Sequence, residues 1–356
     1  LKSRQRTATF ALPSIAQHKP PAMPAPALKT QFSVEAADLD QLTSLCKALA
    51  DSLRLQILRL LRNESFGVLE LCRILDIKQS ALSHHLKILA TAEMVTTRRE
   101  GNSIFYRRSF LTDEDPYRDI KESLFEQVDM VALAAAQTRK IKQIQMERSQ
   151  LSLSFFNKNA AKFREKQGLI VEHKDYHAAL LGVIDGLSLN PKASVLEVGP
   201  GEGQLLRQLA SRFEHLTALD NSRDMLERSR QAITTTSHSD VEFILGDTTV
   251  AKKQRVRSDL IIFDMVLHHI SSPAKTFKEC AELLNEQGSL LVVELRSHDQ
   301  DWVRDTCGDL WLGFEERDLN HWAEKASLGK GQSSFLSLRN GFQIQIRVFQ
   351  KETHGT

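Results

Sequence analysis

The sequence predicts two folded domains of different class, a small α+β domain followed by a larger α/β domain. Residues 37–108 place apolar side chains at helical spacing and end in a short alternating segment that turns at Gly101-Asn102. Residues 194–349 alternate short apolar strands with helical segments, which is typical of a doubly wound parallel sheet covered by helices. A chain of 356 residues can form both domains and a linker.

The composition is that of an ordinary globular protein, with 41% hydrophobic and 26% charged residues. The net charge of +2 hides an asymmetry, because residues 1–110 contain 16 Lys and Arg but 9 Asp and Glu. This predicts a polyanionic partner for the amino-terminal part alone. Four scattered cysteines indicate reduced thiols in a cytosolic protein, and no apolar run is long enough to insert in a membrane.

The first residues have a distinct composition, since residues 1–34 contain five prolines and no acidic residue. A basic, hydroxylated segment without acids is also typical of a transit peptide. The prolines between Pro20 and Pro26 cannot sustain a helix. We therefore predict a disordered, basic, Pro-rich tail over residues 1–36.

Residues 37–112 are predicted to form a DNA-binding domain. Asp51 and Ser52 interrupt the first helical run and can cap a second helix, and a third helix follows over Val68 to Leu75. A tight turn then leads to a polar-faced helix, which is the pattern of a helix-turn-helix. Its candidate DNA contacts are Gln79, Ser80, Ser83, His84, His85 and Lys87.

A β-hairpin is predicted directly after this helix, over Met94 to Arg108. Its arms carry basic residues, of which Arg98, Arg99 and Arg107 are further candidate DNA contacts. The alternative interpretation is a small helical bundle with a solvated, charged hairpin. The arginines behind a polar-faced helix favour DNA binding.

Two stretches of this domain resemble the ArsR-type winged-helix repressors. Residues 47–61 look like their second helix, and residues 79–89 look like their recognition helix. The resemblance implies a homodimer on double-stranded operator DNA, with one recognition helix in each half-site. The cysteine pair that binds metals in many members is replaced by Gly67-Val-Leu69, and residues 119–137 contain no histidine. We therefore predict no metal site.

The remaining boundaries follow from these two patterns. Residues 113–150 are predicted to form a dimerisation helix and a linker, and residues 151–356 the α/β domain. Phe155, Phe156 and Tyr176 lie in helical segments before its first strand, where they can form a lid or pack in the core.

A glycine-rich turn is the most informative stretch of the larger domain. Residues 194–198 are a short apolar strand, and Gly199, Gly201 and Gly203 follow before a helical segment. A second strand ends in Asp220, where a carboxylate can accept hydrogen bonds from a ribose diol. Glycines between a strand and a helix let a ligand approach the backbone closely.

Four stretches in this order resemble the motifs of S-adenosylmethionine (SAM)-dependent methyltransferases: residues 197–203, 220–225, 246–247 and 264–269. The resemblance implies a Rossmann-like sheet that ends in an antiparallel hairpin, and a pocket for SAM or S-adenosylhomocysteine (SAH). The cofactor-binding residues that it implies are Glu197, Gly199, Gly201, Gly203, Asp220, Asn221, Met225, Asp247, Thr248 and Asp264. The aromatic segment from Trp302 to Trp322 is expected either to wall off a pocket or to dock onto the smaller domain.

His268 and His269 are the candidate catalytic residues, because they follow the fourth motif near the expected methyl group. Either can act as a general base or merely line the pocket. Residues 264–267 lack the prolines and aromatic residue used to methylate nucleobase amino groups, and this half contains two cysteines, too few for arsenite methylation. The methyl acceptor is therefore expected to be another small molecule.

The whole chain resembles fusions of an ArsR-type regulator with a methyltransferase, some of which respond to SAH in the methionine and SAM cycle. We expect a cytosolic transcription regulator that couples SAM or SAH binding to operator binding. The alternative is an active small-molecule methyltransferase whose DNA-binding domain is regulatory.

Overall fold

The structure is a computed structural model that describes residues 36–159, 167–233 and 240–352. The predicted tail therefore lies outside the described residues, except for Ala36. The described strands form one three-stranded and one seven-stranded sheet, which belong to a smaller and a larger domain. Within these ranges, no helix combines the length and the apolar character needed to cross a membrane.

The smaller domain packs four helices against a three-stranded sheet of order β1-β3-β2. Its elements are α1 (Ala36–Leu49), α2 (Ser52–Leu60), β1 (Phe66–Gly67), α3 (Val68–Leu75), α4 (Gln79–Thr91), β2 (Val95–Glu100) and β3 (Ser103–Arg108). The Asp51 carboxylate accepts a hydrogen bond from the backbone N–H of Arg54 at 2.9 Å, so it caps α2 as predicted. Asp76, with a φ of 60°, ends α3 and begins the turn to α4. The predicted helix-turn-helix is confirmed.

The predicted hairpin is also confirmed, and residues 95–108 are called the wing below. Strands β2 and β3 pair antiparallel from Val95 opposite Arg108 to Glu100 opposite Ser103. Gly101 has a φ of 59° in the connecting turn, a conformation that glycine adopts without strain. Alternation along the strands places neighbouring side chains on opposite faces of the wing.

Two helices connect the domains, α5 (Arg118–Met130) and α6 (Ala135–Asn159). Helix α6 contains 25 residues, and its buried residues Ile144, Arg148 and Ser152 recur at a spacing of four. That spacing places them on one face, which packs against α3 of the smaller domain. The helix continues through residue 150, the predicted boundary of the larger domain, so it contributes to both domains.

The larger domain contains the predicted doubly wound sheet. Its strands are β4 (Ser194–Val198), β5 (His215–Asp220), β6 (Asp240–Leu245), β7 (Ser258–Asp264), β8 (Leu284–Leu295), β9 (Leu328–Ser337) and β10 (Gln343–Lys351). Their order is β6-β5-β4-β7-β8-β10-β9. The first five are parallel, and β10 and β9 are antiparallel, which confirms the terminal hairpin.

Helices cover both faces of this sheet: α7 (His173–Gly186), α8 (Gln204–Leu209), α9 (Arg223–Ile233), α10 (Thr248–Lys253), α11 (Pro273–Leu283), α12 (Trp302–Cys307) and α13 (Glu316–Lys325). Alternate residues of the central strand enter separate cores, Val195 on one face and Leu196 on the other. The chain order reverses between β4 and β7. In parallel sheets such a switch opens a crevice at the carboxyl ends of the strands.

Candidate functional site

The glycine-rich loop connects β4 to α8 at this crevice. Gly199, Gly201 and Gly203 have positive φ angles of 69°, 56° and 74°. A Cβ atom at Gly199 would lie 2.4 Å from the Cγ2 atom of Val266, so no larger residue fits there. The loop backbone is therefore left open to a ligand.

A cavity of about 1300 Å³ lies against this loop. It is lined by ten of the twelve residues predicted for cofactor binding and catalysis: Glu197, Gly199, Gly201, Asp220, Asn221, Met225, Asp247, Thr248, Asp264 and His269. The other two are Gly203, which caps the start of α8, and His268, which lies behind the cavity wall. The structure thus brings residues of four separate motifs around one cavity.

Three carboxyl groups, of which Glu197 is buried and Asp220 and Asp264 are half-buried, give this cavity an acidic wall. Burial raises the pKa of Asp220 to about 6, although a 2.8 Å hydrogen bond from the backbone N–H of Ser222 opposes the shift. Burial also raises the pKa of Asp264 to about 7. Burial and the charges of Asp264 and Asp220 raise the pKa of Glu197 well above its usual range. A cationic ligand would stabilise the ionised form of these groups.

Part of the cavity wall was missed by sequence reasoning. It comes from α6, α7 and the start of α11: Gln145, Met146, Ser149, Ser152, His173, His177, Ser271, Ser272 and Lys275. No motif marks these residues, although polar side chains on the buried face of α6 are a signal that could have been used. Phe156 and Tyr176, considered as lid or core residues, both line the cavity.

The two candidate catalytic histidines have different environments. The ring of His269 faces the cavity and lies 4.7 Å from that of Phe156. The Nδ1 atom of His268 lies 2.6 Å from Oε1 of Glu294. Burial lowers the pKa of His268, but the charges of Glu294 and Asp309 outweigh it and raise that pKa to about 9.

His269 differs in charge as well as in position. Burial and the charge of His268 lower its pKa well below the usual range, and the backbone of Gly308 acts in the opposite direction. A neutral imidazole at the cavity wall can accept a proton, whereas a protonated one behind the wall cannot. Of the two histidines, only His269 reaches the cavity, and its lowered pKa makes it an uncharged but weak base.

Helix α4 presents most of its predicted DNA contacts to solvent. Five of the six predicted contacts on this helix are exposed: Gln79, Ser80, Ser83, His84 and Lys87. His85 is half-buried, with its Nδ1 atom 3.6 Å from Oδ1 of Asp51. Leu82, Leu86 and Leu89 fix the opposite face of α4 in the core of the smaller domain.

The basic residues of the wing are arranged differently from the sequence-based expectation. The side chains of Arg98 and Arg107 are each 13% exposed, because they face the larger domain. Arg107 forms an ion pair with Asp318 of α13. Arg98 donates a hydrogen bond to the carbonyl of Gly313. Of the three wing arginines predicted to contact DNA, only Arg99 is exposed.

The aromatic segment docks onto the wing, one of the two alternatives left open by the sequence. The ring of Trp311 lies 5.3 Å from that of Phe105 on β3. The buried carboxylate of Glu100 accepts a 2.7 Å hydrogen bond from the backbone N–H of Leu312. Arg304 donates a 2.8 Å hydrogen bond to the carbonyl of Glu100. The wing is therefore packed into the larger domain.

A second contact between the domains adjoins the cavity. Glu64, between α2 and β1, accepts hydrogen bonds from the hydroxyl of Ser272 and the side-chain amide of Gln145. Both donors line the cavity. The guanidinium of Arg148 on α6 donates hydrogen bonds to the carboxylate of Glu70 on α3, at 2.5 and 2.9 Å. It also donates a hydrogen bond to the carbonyl of Ser271, at 3.3 Å. The cavity wall is thus hydrogen-bonded directly to the smaller domain.

Comparison with known proteins divides the chain in the same way. Residues 51–97 match the family model of the bacterial regulatory proteins of the arsR family, and residues 189–327 match that of a methyltransferase domain. The arsenical resistance operon repressor of Staphylococcus aureus is 44% identical over 70 residues, which are 19% of this chain and 64% of the repressor. The chain therefore spans less than two thirds of that relative.

Two further relatives, a transcriptional repressor homolog and a methyltransferase, are each similar to a part of the chain. The transcriptional repressor SmtB homolog of a Synechocystis strain is 30% identical over 99 residues, which are 27% of this chain and 75% of the homolog. An uncharacterized methyltransferase of Mycobacterium tuberculosis is 29% identical over 122 residues, covering 32% of this chain and 59% of that protein.

Proposed function

Because the chain belongs to the arsR family of bacterial regulatory proteins and carries a methyltransferase domain, we propose that it is a transcription regulator whose cavity senses SAM or SAH. The observation that carries this proposal is the contact of Glu64 with two cavity-lining side chains, Gln145 and Ser272. A ligand can change DNA affinity only if it binds two arrangements of the protein with different affinities. Because Gln145 and Ser272 line the cavity and contact Glu64 of the DNA-binding domain, a ligand that moves these side chains would bind the two arrangements with different affinities.

The cavity suits a SAM-type ligand in both shape and charge. The open glycine loop would lie against its methionine part, and Asp220 would accept hydrogen bonds from the ribose hydroxyls. Met225 would pack near the adenine, and Asp247 would accept from its amino group. When bound, SAM supplies a methyl group on a positively charged sulfur. The carboxyl groups of Glu197 and Asp264 favour a cation at this position, since one buried oxygen of each lacks a hydrogen-bond partner among the described residues.

DNA binding is assigned to the exposed face of α4, which would enter the major groove of an operator. A homodimer formed through the smaller domain and α5 would present two such helices. Exposed apolar side chains on and beside α5 support this surface, because Ile120, Met130 and Val131 are 47%, 79% and 61% exposed.

The docked wing corresponds to an arrangement with weaker DNA affinity. Arg98 and Arg107 cannot bind Asp318 and Gly313 in the domain interface and DNA phosphates at the same time. Ligand binding changes the walls made by Gln145 and Ser272, and through Glu64 it changes the stability of the docked arrangement. We expect the resulting change in operator affinity to lie at about 5- to 150-fold, the usual range of such coupling.

The proposal is tested with the full chain and a duplex that it selects from a random DNA pool. Fluorescence anisotropy measures operator affinity without ligand, with SAM and with SAH. Glu64→Ala should reduce the ligand effect to less than twofold, and Glu214→Ala, an exposed carboxylate remote from this contact, should preserve it. An operator affinity that neither ligand changes would refute the coupling.

The second candidate function is an active small-molecule methyltransferase. Its support is the neutral imidazole of His269 at the cavity wall, which can take a proton from an acceptor as the methyl group is transferred. Incubation with SAM carrying a labelled methyl group and a cell extract tests it. Transfer to an extract molecule that is lost in His269→Ala would support the enzyme, and ligand-dependent DNA binding without transfer would support the sensor alone.

A further inference from the structure

We propose that His268, His269 and Asp309 form a binding site for a divalent transition-metal ion of the zinc type. Their ligand atoms lie within 4.8 Å of one another, and all three residues are buried. The Oδ1 atom of Asp309 is 3.9 Å from Nε2 of His268 and 3.7 Å from Nδ1 of His269. Tetrahedral zinc with bonds of about 2.1 Å separates its ligand atoms by about 3.4 Å. The two Asp309 separations exceed this value by about 0.3 and 0.5 Å, and since all three ligand atoms lie within 4.8 Å of one another, movements of at most about 1.4 Å would close them around an ion.

The candidate ligand atoms have unused hydrogen-bonding capacity. The side chain of Asp309 is 0% exposed, and neither of its carboxylate oxygens has a hydrogen-bond partner among the described residues. Within the same ranges, neither ring nitrogen of His269 meets the geometry of a hydrogen bond. Buried polar atoms in folded proteins almost always have partners. Both oxygens of Asp309 and at least one ring nitrogen of His269, whose ring is approached by the backbone of Gly308, therefore remain open to a ligand.

Glu294 prepares His268 for metal binding. Its Oε1 atom is 2.6 Å from Nδ1 of His268, and its Oε2 atom accepts a 3.0 Å hydrogen bond from the backbone N–H of the same residue. Metal binding would displace one proton of the His268 ring, and the carboxylate at Nδ1 would then fix the tautomer in which the other nitrogen binds the metal. That other nitrogen, Nε2, is the one nearer to Asp309. The arrangement is the one in which metal-binding histidines are usually held.

The charge of the cluster also favours a cation. The carboxyl groups of Glu294 and Asp309 are both 0% exposed, and they lie 2.6 and 3.9 Å from the two ring nitrogens of His268. Uncompensated charge is costly in a buried site, and a divalent ion would balance both carboxylates.

The ligands are also held in a fixed relation. The backbone N–H groups of Leu310 and Trp311 donate hydrogen bonds to the carbonyl of His268, at 3.0 and 3.2 Å. These bonds hold the loop that contains Asp309 against the turn that contains both histidines. His269 lines the cavity, so an ion bound here would lie at the cavity wall. Three protein ligands leave a position open, as in catalytic zinc sites, and an oxygen of a cavity-bound molecule can occupy it. The site belongs wholly to the methyltransferase domain.

The test uses the purified full chain after treatment with a chelator, titrated with Co²⁺ and then with Zn²⁺. We expect one Co²⁺ per chain with the intense visible absorption of a four-coordinate ion, and its displacement by one Zn²⁺. Asp309→Asn and His269→Ala should each weaken binding at least tenfold. His321→Ala removes an imidazole of the same domain whose ring packs on Phe110, and it should bind Co²⁺ like the unaltered chain.

Circular dichroism shows whether each variant is folded. If Asp309→Asn does not fold, His269→Ala is used for the comparison instead. An unaltered chain that binds no Co²⁺ at equimolar, micromolar concentrations would overturn the proposal. So would a folded Asp309→Asn or His269→Ala variant that keeps the unaltered spectrum and affinity. The titration contains neither DNA nor SAM, so its result does not depend on the proposed regulatory function.

Discussion

Replacing Asp318 by asparagine should increase the affinity of the chain for operator DNA. The side chain of Asp318 is 2% exposed, forms an ion pair with Arg107 and lies 3.9 Å from Nη1 of Arg98. Asparagine keeps the size of the side chain but removes its charge. Arg107 then loses its ion-pair partner, and Arg98 loses a more distant carboxylate while keeping its ion pair with Glu100. The docked wing is destabilised, and undocking makes both arginines available to DNA phosphates.

The size of the effect follows from the burial of this ion pair. Removal of one partner from a buried pair costs roughly 3–5 kcal/mol. The arginines retain 13% exposure, so the lower figure is the appropriate one. A cost of about 3 kcal/mol shifts the balance toward the undocked arrangement by roughly a hundredfold, since about 1.4 kcal/mol is tenfold. This factor is an upper limit on the gain in DNA affinity. Each arginine that then reaches a phosphate steepens the log–log salt dependence by about 0.9.

Fluorescence anisotropy with a labelled operator duplex at several KCl concentrations measures both quantities. Asp305→Asn is the matched control, because it makes the same charge change at an exposed position of α12. A gain in affinity of the same size in both variants would mean that general electrostatics is responsible. A folded Asp318→Asn protein with unchanged affinity and salt dependence would refute the reasoning.

Three further predictions concern the cavity. Asp220→Ala should abolish SAM binding in calorimetry while leaving ligand-free operator affinity unchanged. Gly199→Ala should also abolish SAM binding, because its Cβ atom would meet Val266 at 2.4 Å; unchanged affinity would contradict this. SAM affinity should fall by roughly tenfold from pH 8 to pH 6, since the pKa of Asp264 is about 7 and a cation prefers its ionised form, present above that pH. SAH lacks the charged sulfur and should show a smaller change in the same titration.

Much of the fold could be predicted because its signals are local. The cap at Asp51, the turn at Gly101-Asn102 and the apolar strand before Gly199 each depend on residues close in sequence. The parallel sheet follows because strands and helices alternate along the chain. Placement of the four methyltransferase motifs at one cavity follows in turn, since the carboxyl ends of parallel strands meet at one edge of the sheet.

The sequence left docking of the aromatic segment onto the smaller domain as one of two alternatives, but it could not predict that the wing arginines take part, because the cause is not local. A strand with Arg98 and Arg107 has the same pattern whether the arginines face phosphates or carboxylates. The carboxylate that pairs with Arg107 lies more than 200 positions later, on α13. The different surroundings of His268 and His269 have a similar origin. The 3₁₀ turn at Leu267–His269 directs one ring to Glu294 and the other to the cavity, and no sequence pattern specifies that choice.

If the proposed coupling exists, operator DNA must in turn change the affinity of the chain for SAM or SAH. A ligand that destabilises the docked wing raises DNA affinity, and by linkage DNA must raise the affinity for that ligand by the same factor. Arg98 and Arg107 are the groups for which Asp318 and DNA compete, whereas Glu64 connects the same domain to the cavity wall. Calorimetric titration of SAM or SAH in the presence and absence of operator therefore measures the coupling from the other side. Linkage requires equal factors whatever the number of arrangements, so unequal factors would mean that one of the titrations was not at equilibrium, and a factor of one in both would refute the coupling.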